Sequence, residues 1–336
     1  MVTIRDVAKL AGVSPITVSR VVNNSDYVSE STRARVEAAI DELKYVPNML
    51  GPSLRFKQTM TLALVLTDIT NPFWTTVARG VEDVAQANGY GIILCNTDES
   101  QSKQDQYLDM LLRRRIDGIV LVPAHSAPEP VGMIQKQGIP VVVLDRQIPG
   151  IQVDIVRADS ENGAYQLTDH LLSMGHRRIA VLAGPETVST AVDRVMGYRR
   201  ALTAHGLPEE AVAIYWGAFT VESGREMALQ ALSDHQQLTA FFATNNFIAI
   251  GAMQAMREMG LTVPDDIALV TLDDIPAVFT IEPFLTVARQ PAREMGRKAA
   301  QILLDRLSGQ LDGEYQHIVL PTQLIIRASS GSQRTS

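Results

Sequence analysis

Apolar positions follow two different rhythms along the chain. Up to about residue 47 they recur at helical spacing, and from Thr61 onward short apolar runs alternate with helical segments. Ile4, Val7, Ala8 and Ala11 fall at i, i+3, i+4 and i+7. They lie behind Thr3 and Asp6, which read as a capping box, and ahead of Gly12, which can take positive φ and end a helix. Ser14 then caps a second helix with Pro15 at its first position and Val18, Val21 and Val22 on its inner face. A third helix is expected from about Glu30 to Leu43 behind the cap Ser29, with Val36, Ala39, Ile40 and Leu43 completing a small core. The pattern predicts a three-helix head containing a helix-turn-helix corner.

Beyond Thr61 the runs Leu62–Leu66, Ile92–Cys95, Gly118–Val122 and Val141–Leu144 are separated by helical patterns near Trp74–Ala87 and Gln104–Arg113. After Asp154 a second series repeats the rhythm. Its strands are expected at Ile179–Leu182, Ala240–Ala243 and Ile267–Thr271, and its helices near Asn162–Ser173, Val195–His205, Ser223–Leu232 and Ala249–Met259. Apolar strands joined by helices imply parallel sheets covered on both faces, and two such series imply an α/β core of two doubly wound halves facing across a cleft. Ligands of such sheets bind beyond the carboxyl ends of the strands.

Polar side chains gather at those expected strand ends: Asn71 before Pro72-Phe73-Trp74, then Asp145-Arg146, Asp193-Arg194, Asn245-Asn246, Asp273-Asp274 and Gln290. A monosaccharide offers a rim of hydroxyls and apolar C–H faces, so carboxylates and guanidinium forks suit the rim and aromatic rings suit the faces. On this chemistry Phe73 and Trp74 are expected to stack on the ligand, and Asp145, Arg146, Arg194, Asn245, Asp273 and Gln290 to bind its hydroxyls. In the head, the outward-facing Pro15, Ile16 and Arg20 are the candidate base readers. Arg20 suits guanine O6 and N7, and the other two suit thymine methyls. Hydroxyls of Thr3, Ser14, Thr17 and Ser19 are placed to hold phosphates, which fixes register without reading sequence.

Charge sharpens this division. The chain of 336 residues carries a formal net charge of −7, but residues 1–58 hold eight Lys or Arg against six Asp or Glu and are the only part with a positive balance. No apolar run approaches the ~20 residues of a membrane span, and the start of the chain lacks the apolar block of a signal peptide, so a cytoplasmic protein is expected. The single cysteine, Cys95, ends a strand and reads as an inert buried thiol. The six histidines show no metal spacing, and glycine-rich nucleotide loops and a nucleophile elbow are missing. Neither a metal, nor a cofactor, nor catalysis is expected.

The wording of the head adds what spacing cannot. Thr3-Ile-Arg-Asp-Val-Ala-Lys-Leu-Ala-Gly-Val-Ser-Pro-Ile-Thr-Val-Ser-Arg-Val-Val-Asn23, followed by Val28-Ser-Glu-Ser-Thr-Arg33 and Leu43-Lys-Tyr-Val-Pro-Asn48, strongly resembles the head of the LacI/GalR family of bacterial repressors. The body resembles that family's core, which is similar to periplasmic sugar-binding proteins, through Asn71-Pro-Phe-Trp74, Leu144-Asp-Arg146, Val192-Asp-Arg194, Asn245, Leu272-Asp273 and Arg289-Gln-Pro291. The resemblance implies a helix-turn-helix domain at 1–47, a hinge at 48–60, an effector-binding core at 61–328 and a polar tail at 329–336. Within the core it implies an N-subdomain of about 61–158 and 289–318 and a C-subdomain of about 159–288 and 319–328. It also implies a homodimer on a palindromic double-stranded operator, with Tyr45 and Asn48 near the DNA backbone and Leu54 wedged into the minor groove. A ribose-like or other monosaccharide effector follows from the same likeness, with purine- or sugar-acid-responsive regulators, a non-catalytic sugar-binding module and a doubly wound sugar enzyme as the alternatives. Three departures from the family pattern stand out: Gly51-Pro52 in the hinge, Asn246 where aspartate is usual, and Thr271-Leu272 in place of a glycine-aromatic pair.

Overall fold

A computed structural model describes residues 2–23, 27–46, 58–208, 213–275 and 282–331. The described residues form two compact units, 1–59 and 60–336. The first contains α1 (Ile4–Ala11), α2 (Pro15–Val22) and α3 (Glu30–Leu43). Val7, Ala8, Ala11, Val18, Val21, Val36 and Ala39 make its core, and Ile4, Leu43 and Tyr45 pack around them. Gly12 ends α1 at φ 64°, as the pattern required. The Asp6 carboxylate accepts from the Thr3 amide at 2.8 Å and the Thr3 hydroxyl at 2.7 Å, and both bonds hold that carboxyl below its usual range. Ser29 is corrected in its detail: it stands at the N-cap position of α3 without a side-chain cap bond, and its hydroxyl donates to Thr32 Oγ1 at 3.0 Å.

The second unit is the expected pair of doubly wound halves. One six-stranded sheet has the order β11-β5-β4-β3-β1-β2, built from β1 (Thr61–Leu66), β2 (Gly91–Asn96), β3 (Gly118–Leu121), β4 (Val141–Leu144), β5 (Asp154–Ala158) and β11 (His317–Leu320). The other has the order β12-β10-β9-β8-β6-β7, from β6 (Ile179–Ala183), β7 (Ala213–Trp216), β8 (Ala240–Ala243), β9 (Ala268–Leu272), β10 (Thr286–Arg289) and β12 (Gln323–Ile325). Every described pairing is parallel except β10 with β12. Between the strands run α4 (Pro72–Ala87), α5 (Gln101–Arg113), α6 (Glu129–Lys136), α7 (Ser160–Ser173), α8 (Ser189–Ala204), α9 (Val221–Asp234), α10 (Asn246–Glu258) and α11 (Ala292–Leu307). The chain passes from one half to the other after β5, after β10 and after β11, since α11 packs on the first sheet and α7 on the second.

Helix contacts here are unusually close. A Cβ placed on Gly80 of α4 would lie 2.1 Å from the Arg293 carbonyl oxygen of α11, and one on Gly296 of α11 would lie 2.1 Å from the Val77 oxygen of α4. The same reciprocity joins α9 and α10, where Gly251 faces the Val221 oxygen at 2.0 Å and Gly224 faces the Ile248 oxygen at 2.5 Å. Backbones touch there, so only glycine fits. These two helix pairs carry into the cleft the N-terminal ends described next.

Candidate functional site

A cavity of about 420 Å³ lies in the second unit at the carboxyl ends of strands from both sheets. Each side chain arrives there by a short local device. Asn71 caps α4 by accepting from the Phe73 amide at 3.0 Å, which sets Phe73 and Trp74 on the first turn, edge to face with ring centroids 4.7 Å apart. Asn245 caps α10 by accepting from the Ile248 amide at 2.8 Å. Asp145 and Asp273 each follow the leucine that ends a buried strand, and both take the left-handed conformation at φ 68°. That conformation is rare for residues with a Cβ and turns each carboxyl sharply off its strand into the cavity.

Asn71, Phe73, Trp74, Asp145, Arg146, Arg194, Asn245 and Asp273 all line the cavity. Gln290 is set one step behind, donating from Nε2 to Asp273 Oδ1 at 2.6 Å. The expected placement of Asp193 and Arg194 at a strand end is corrected: α8 begins at Ser189, so both lie on its second turn. Sequence reasoning passed over Glu99, Thr190, Phe219 and Thr220, which also line the cavity. Glu99 follows the end of β2, so the rule that found the others reaches it too.

The electrostatics are those of a buried, incompletely paired network. Arg194 is 4% exposed; its Nη1 donates to the Thr244 carbonyl at 2.8 Å, and its guanidinium lies 5.8 Å from the Phe219 ring centre. Burial pushes the Asp273 carboxyl up to about 6, opposed chiefly by Arg194 and by the Gln290 bond. Burial also raises Asp145, again opposed first by Arg194 and then by Arg146. Asp145 Oδ1, Arg146 Nε, Arg194 Nε and Gln290 Oε1 are buried without a hydrogen-bond partner. Buried polar atoms are almost always bonded, so the orphans on the lining residues Asp145, Arg146 and Arg194 mark places where a polar ligand completes the network. Asn71 and Asn246 are satisfied differently, by two reciprocal amide bonds of 3.0 Å that tie the ends of α4 and α10 together. Aspartate at 246 would have no N–H to give to Asn71 Oδ1, which accounts for the amide at that position.

In the head, Pro15, Ile16 and Arg20 are exposed on α2, Ile16 by 67%. Ser14 Oγ accepts from the Thr17 amide at 3.2 Å and lies 2.9 Å from Thr17 Oγ1, while Ser19 Oγ accepts from Asn23 Nδ2 at 3.3 Å. Thr3 is exposed at the start of α1, and Tyr45 is half-buried on the head core. Asn48, Leu54 and Gly51-Pro52 lie outside the described residues.

Comparison with known proteins agrees with this anatomy. Residues 3–48 match the model of bacterial regulatory proteins of the lacI family, and residues 59–326 match that of periplasmic binding proteins and the sugar-binding domain of the LacI family. The chain belongs to the LacI family. Among curated relatives it is 35% identical to the HTH-type transcriptional regulator DegA of Bacillus subtilis, over 99% of both chains. It is also 35% identical to the ribose operon repressor of Halalkalibacterium halodurans, over 98% of this chain and 97% of that one. The lac repressor dimer bound to operator and the anti-inducer ONPF superposes with a TM-score of 0.85 at 29% identity, over 98% of this chain and 99% of that one. As a LacI-family member the protein is a DNA-binding transcriptional regulator with an effector-binding core. No helix among the described residues is long and apolar enough to cross a membrane.

Proposed function

We propose that this regulator is a cytoplasmic, non-catalytic repressor of carbohydrate utilisation. It binds a palindromic operator as a homodimer and releases it when a monosaccharide of ribose-like size fills the core cavity. The observation that supports this reading best is the set of unpartnered atoms on Asp145, Arg146, Arg194 and Gln290 beside the aromatic wall of Phe73, Trp74 and Phe219. Hydroxyls answer such a mixed set of donors and acceptors, and the rings suit C–H faces. The ligand stabilises one arrangement of the two halves, and by linkage it shifts the population that holds DNA. Pro15, Ile16 and Arg20 read bases, Leu54 wedges the minor groove, and Thr3, Ser14, Thr17, Ser19, Tyr45 and Asn48 hold the backbone.

The test begins by selecting a preferred duplex from random sequence with the full chain, then measures its affinity with and without each sugar of a panel of pentoses and hexoses. One sugar is expected to weaken the complex at least tenfold. Absence of any preferred duplex, or equal affinity whatever sugar is added, would overturn the reading. In the same assay Arg20→Ala is expected to cost about 1–3 kcal/mol of discrimination between matched and mismatched duplexes. Calorimetry is expected to find its sugar affinity intact.

Acidity offers a second readout. Asp273 has its folded pKa raised to about 6 from 3.8, so between those values the folded chain binds more protons than the unfolded one. Its contribution to stability therefore falls as pH rises through that window and is level above it. Its capacity to accept hydroxyl donors runs the other way and is full only above about pH 6. Sugar affinity is expected to fall several-fold from pH 7.5 to pH 5. The described cavity lining contains no histidine, so the transition reports the carboxyls. A flat calorimetric profile would remove Asp273 from the contact set, and Asp273→Asn is expected to flatten it.

A further inference from the structure

The charge count of the cavity is lopsided. Asp68, Asp98, Glu99, Asp145 and Asp273 line it, against two cationic side chains, Arg146 and Arg194. Neither guanidinium has both of its terminal nitrogens free. Arg146 donates from Nη1 to Glu99 Oε2 at 2.8 Å, to the Pro123 carbonyl at 2.6 Å and to the Ala124 carbonyl at 3.0 Å, and from Nη2 to Glu99 Oε1 at 2.6 Å. Its Nε is buried without a partner. Arg194 spends Nη1 on the Thr244 carbonyl and likewise keeps an unpartnered Nε.

Most of the other usual holders of anions are spent as well. Helix N-termini attract phosphate through free N–H groups and the helix dipole. Here Asn71, Ser100, Thr220 and Asn245 cap α4, α5, α9 and α10 with their own side chains, while α8, which carries Thr190 into the cavity, begins without such a cap. Glu99 is brought to Arg146 by an unusual backbone, since Asp98 at φ 51° and Glu99 at φ 56° are consecutive left-handed residues. Such a pair costs energy in residues with a Cβ. The bidentate bond with Arg146, whose side chain is 2% exposed, is what that backbone secures.

We infer that the cavity selects uncharged sugars against phosphorylated or carboxylated ones, and that Glu99 is the specificity-determining residue because it occupies the guanidinium fork of Arg146 that an anionic ligand needs. The inference rests on the sugar-binding reading above and goes past it by fixing the ligand's charge class. Glu99 acts in two ways. It takes up the terminal fork of Arg146, one bidentate donor that a carboxylate or phosphate would use, and it adds a negative charge beside the place they would occupy.

Calorimetry on the full-length protein tests this with pentoses and hexoses, their 5- or 6-phosphates and the corresponding aldonic acids. At least one uncharged sugar is expected to bind, with its phosphate and its acid at least a hundredfold weaker. Glu99→Gln is expected to narrow that gap tenfold or more by releasing the fork, while Glu99→Asp, which keeps the charge, holds it. A wild-type protein that binds a sugar phosphate or acid as tightly as the uncharged sugar overturns the inference and leaves the sugar-binding reading standing. An unchanged gap in Glu99→Gln overturns the role given to Glu99. If no compound of the three classes binds wild type, the sugar-binding reading itself falls and the inference with it. Should Glu99→Gln fail to fold, the wild-type comparison still decides the charge class, and Glu99→Ala, which also releases the fork, decides the residue by narrowing the gap or leaving it unchanged.

Discussion

Arg194→Leu is expected to destabilise the fold by about 3–5 kcal/mol, the usual cost of leaving buried charge without its partner. Arg194 is the first-ranked opponent of burial at both Asp145 and Asp273, two carboxyls at 4% and 5% exposure that also repel one another. Without the guanidinium both are pushed toward protonation, and a protonated pair accepts the hydroxyls of a ligand more weakly and presents O–H donors in the wrong places. The variant also loses a lining side chain, so its sugar affinity at neutral pH should fall at least a hundredfold. The decisive measurement is denaturant unfolding of the variant and of a triple variant that adds Asp145→Asn and Asp273→Asn. Neutral amides have no charge left to compensate, so the triple variant should regain most of the stability but none of the affinity. A loss below about 1 kcal/mol in the single variant would show that Arg194 is not the counter-charge of this network. Lysine is no substitute at this position, since a point charge on a flexible stem cannot reproduce the planar fork that donates to the Thr244 carbonyl beside Phe219.

The parts of this site that could be read from the sequence follow one rule and stop where the rule stops. Apolar runs such as Leu62–Leu66 and Val141–Leu144 have strand length and lie between helical patterns, so their ends, and the polar residues just past them, could be located. Asp145, Asn245 and Asp273 were legible for that reason. Arg194 was assigned the right cavity through the wrong element. The four residues from Ser189 to Val192 look like loop in isolation, and only tertiary packing against α7 shows them to be helix. Edge strands were harder: β7 and β11 are half-exposed along their length, and their four-residue patterns carry too little apolar signal to stand out. α11 is amphipathic over sixteen residues, yet it belongs to the first sheet after the chain has already visited the second, and linear order gives no hint of that return. The left-handed turns at Asp98, Glu99, Asp145 and Asp273 were illegible because the usual marker, glycine, is missing from all four. Glu99 was overlooked as a consequence, although it lies in Thr97-Asp-Glu-Ser100 just past the end of β2, as Asp145 lies just past β4.

The glycine contacts link that fold to its function, and Gly80→Ala is the second substitution of large expected effect. Its new methyl would sit 2.1 Å from the Arg293 oxygen and 3.0 Å from the Arg293 carbonyl carbon, both backbone atoms that no rotamer change can move aside. Overpacking costs about 1–3 kcal/mol where side chains can yield, and a helix backbone yields less, so a loss of about 3 kcal/mol is expected. At the usual scaling for a unit of this size that lowers the melting temperature by roughly 5 °C. The effect should not stay local. Separating α4 from α11 moves the end of α4 that carries Asn71, Phe73 and Trp74, which breaks the reciprocal amide bonds to Asn246 and spreads the aromatic wall. Sugar affinity should therefore drop with stability in Gly80→Ala and in Gly251→Ala, whose methyl would meet the Val221 oxygen at 2.0 Å on the opposite wall. Gly138→Ala supplies the comparison: a Cβ there meets nothing within 4 Å, but φ is 71°, so it should cost about 1 kcal/mol of backbone strain and leave sugar affinity untouched. Melting temperature and calorimetric affinity measured together on the three variants separate the two causes. If Gly80→Ala melted no lower than Gly138→Ala, the backbone contact between α4 and α11 would not hold the cleft wall in place.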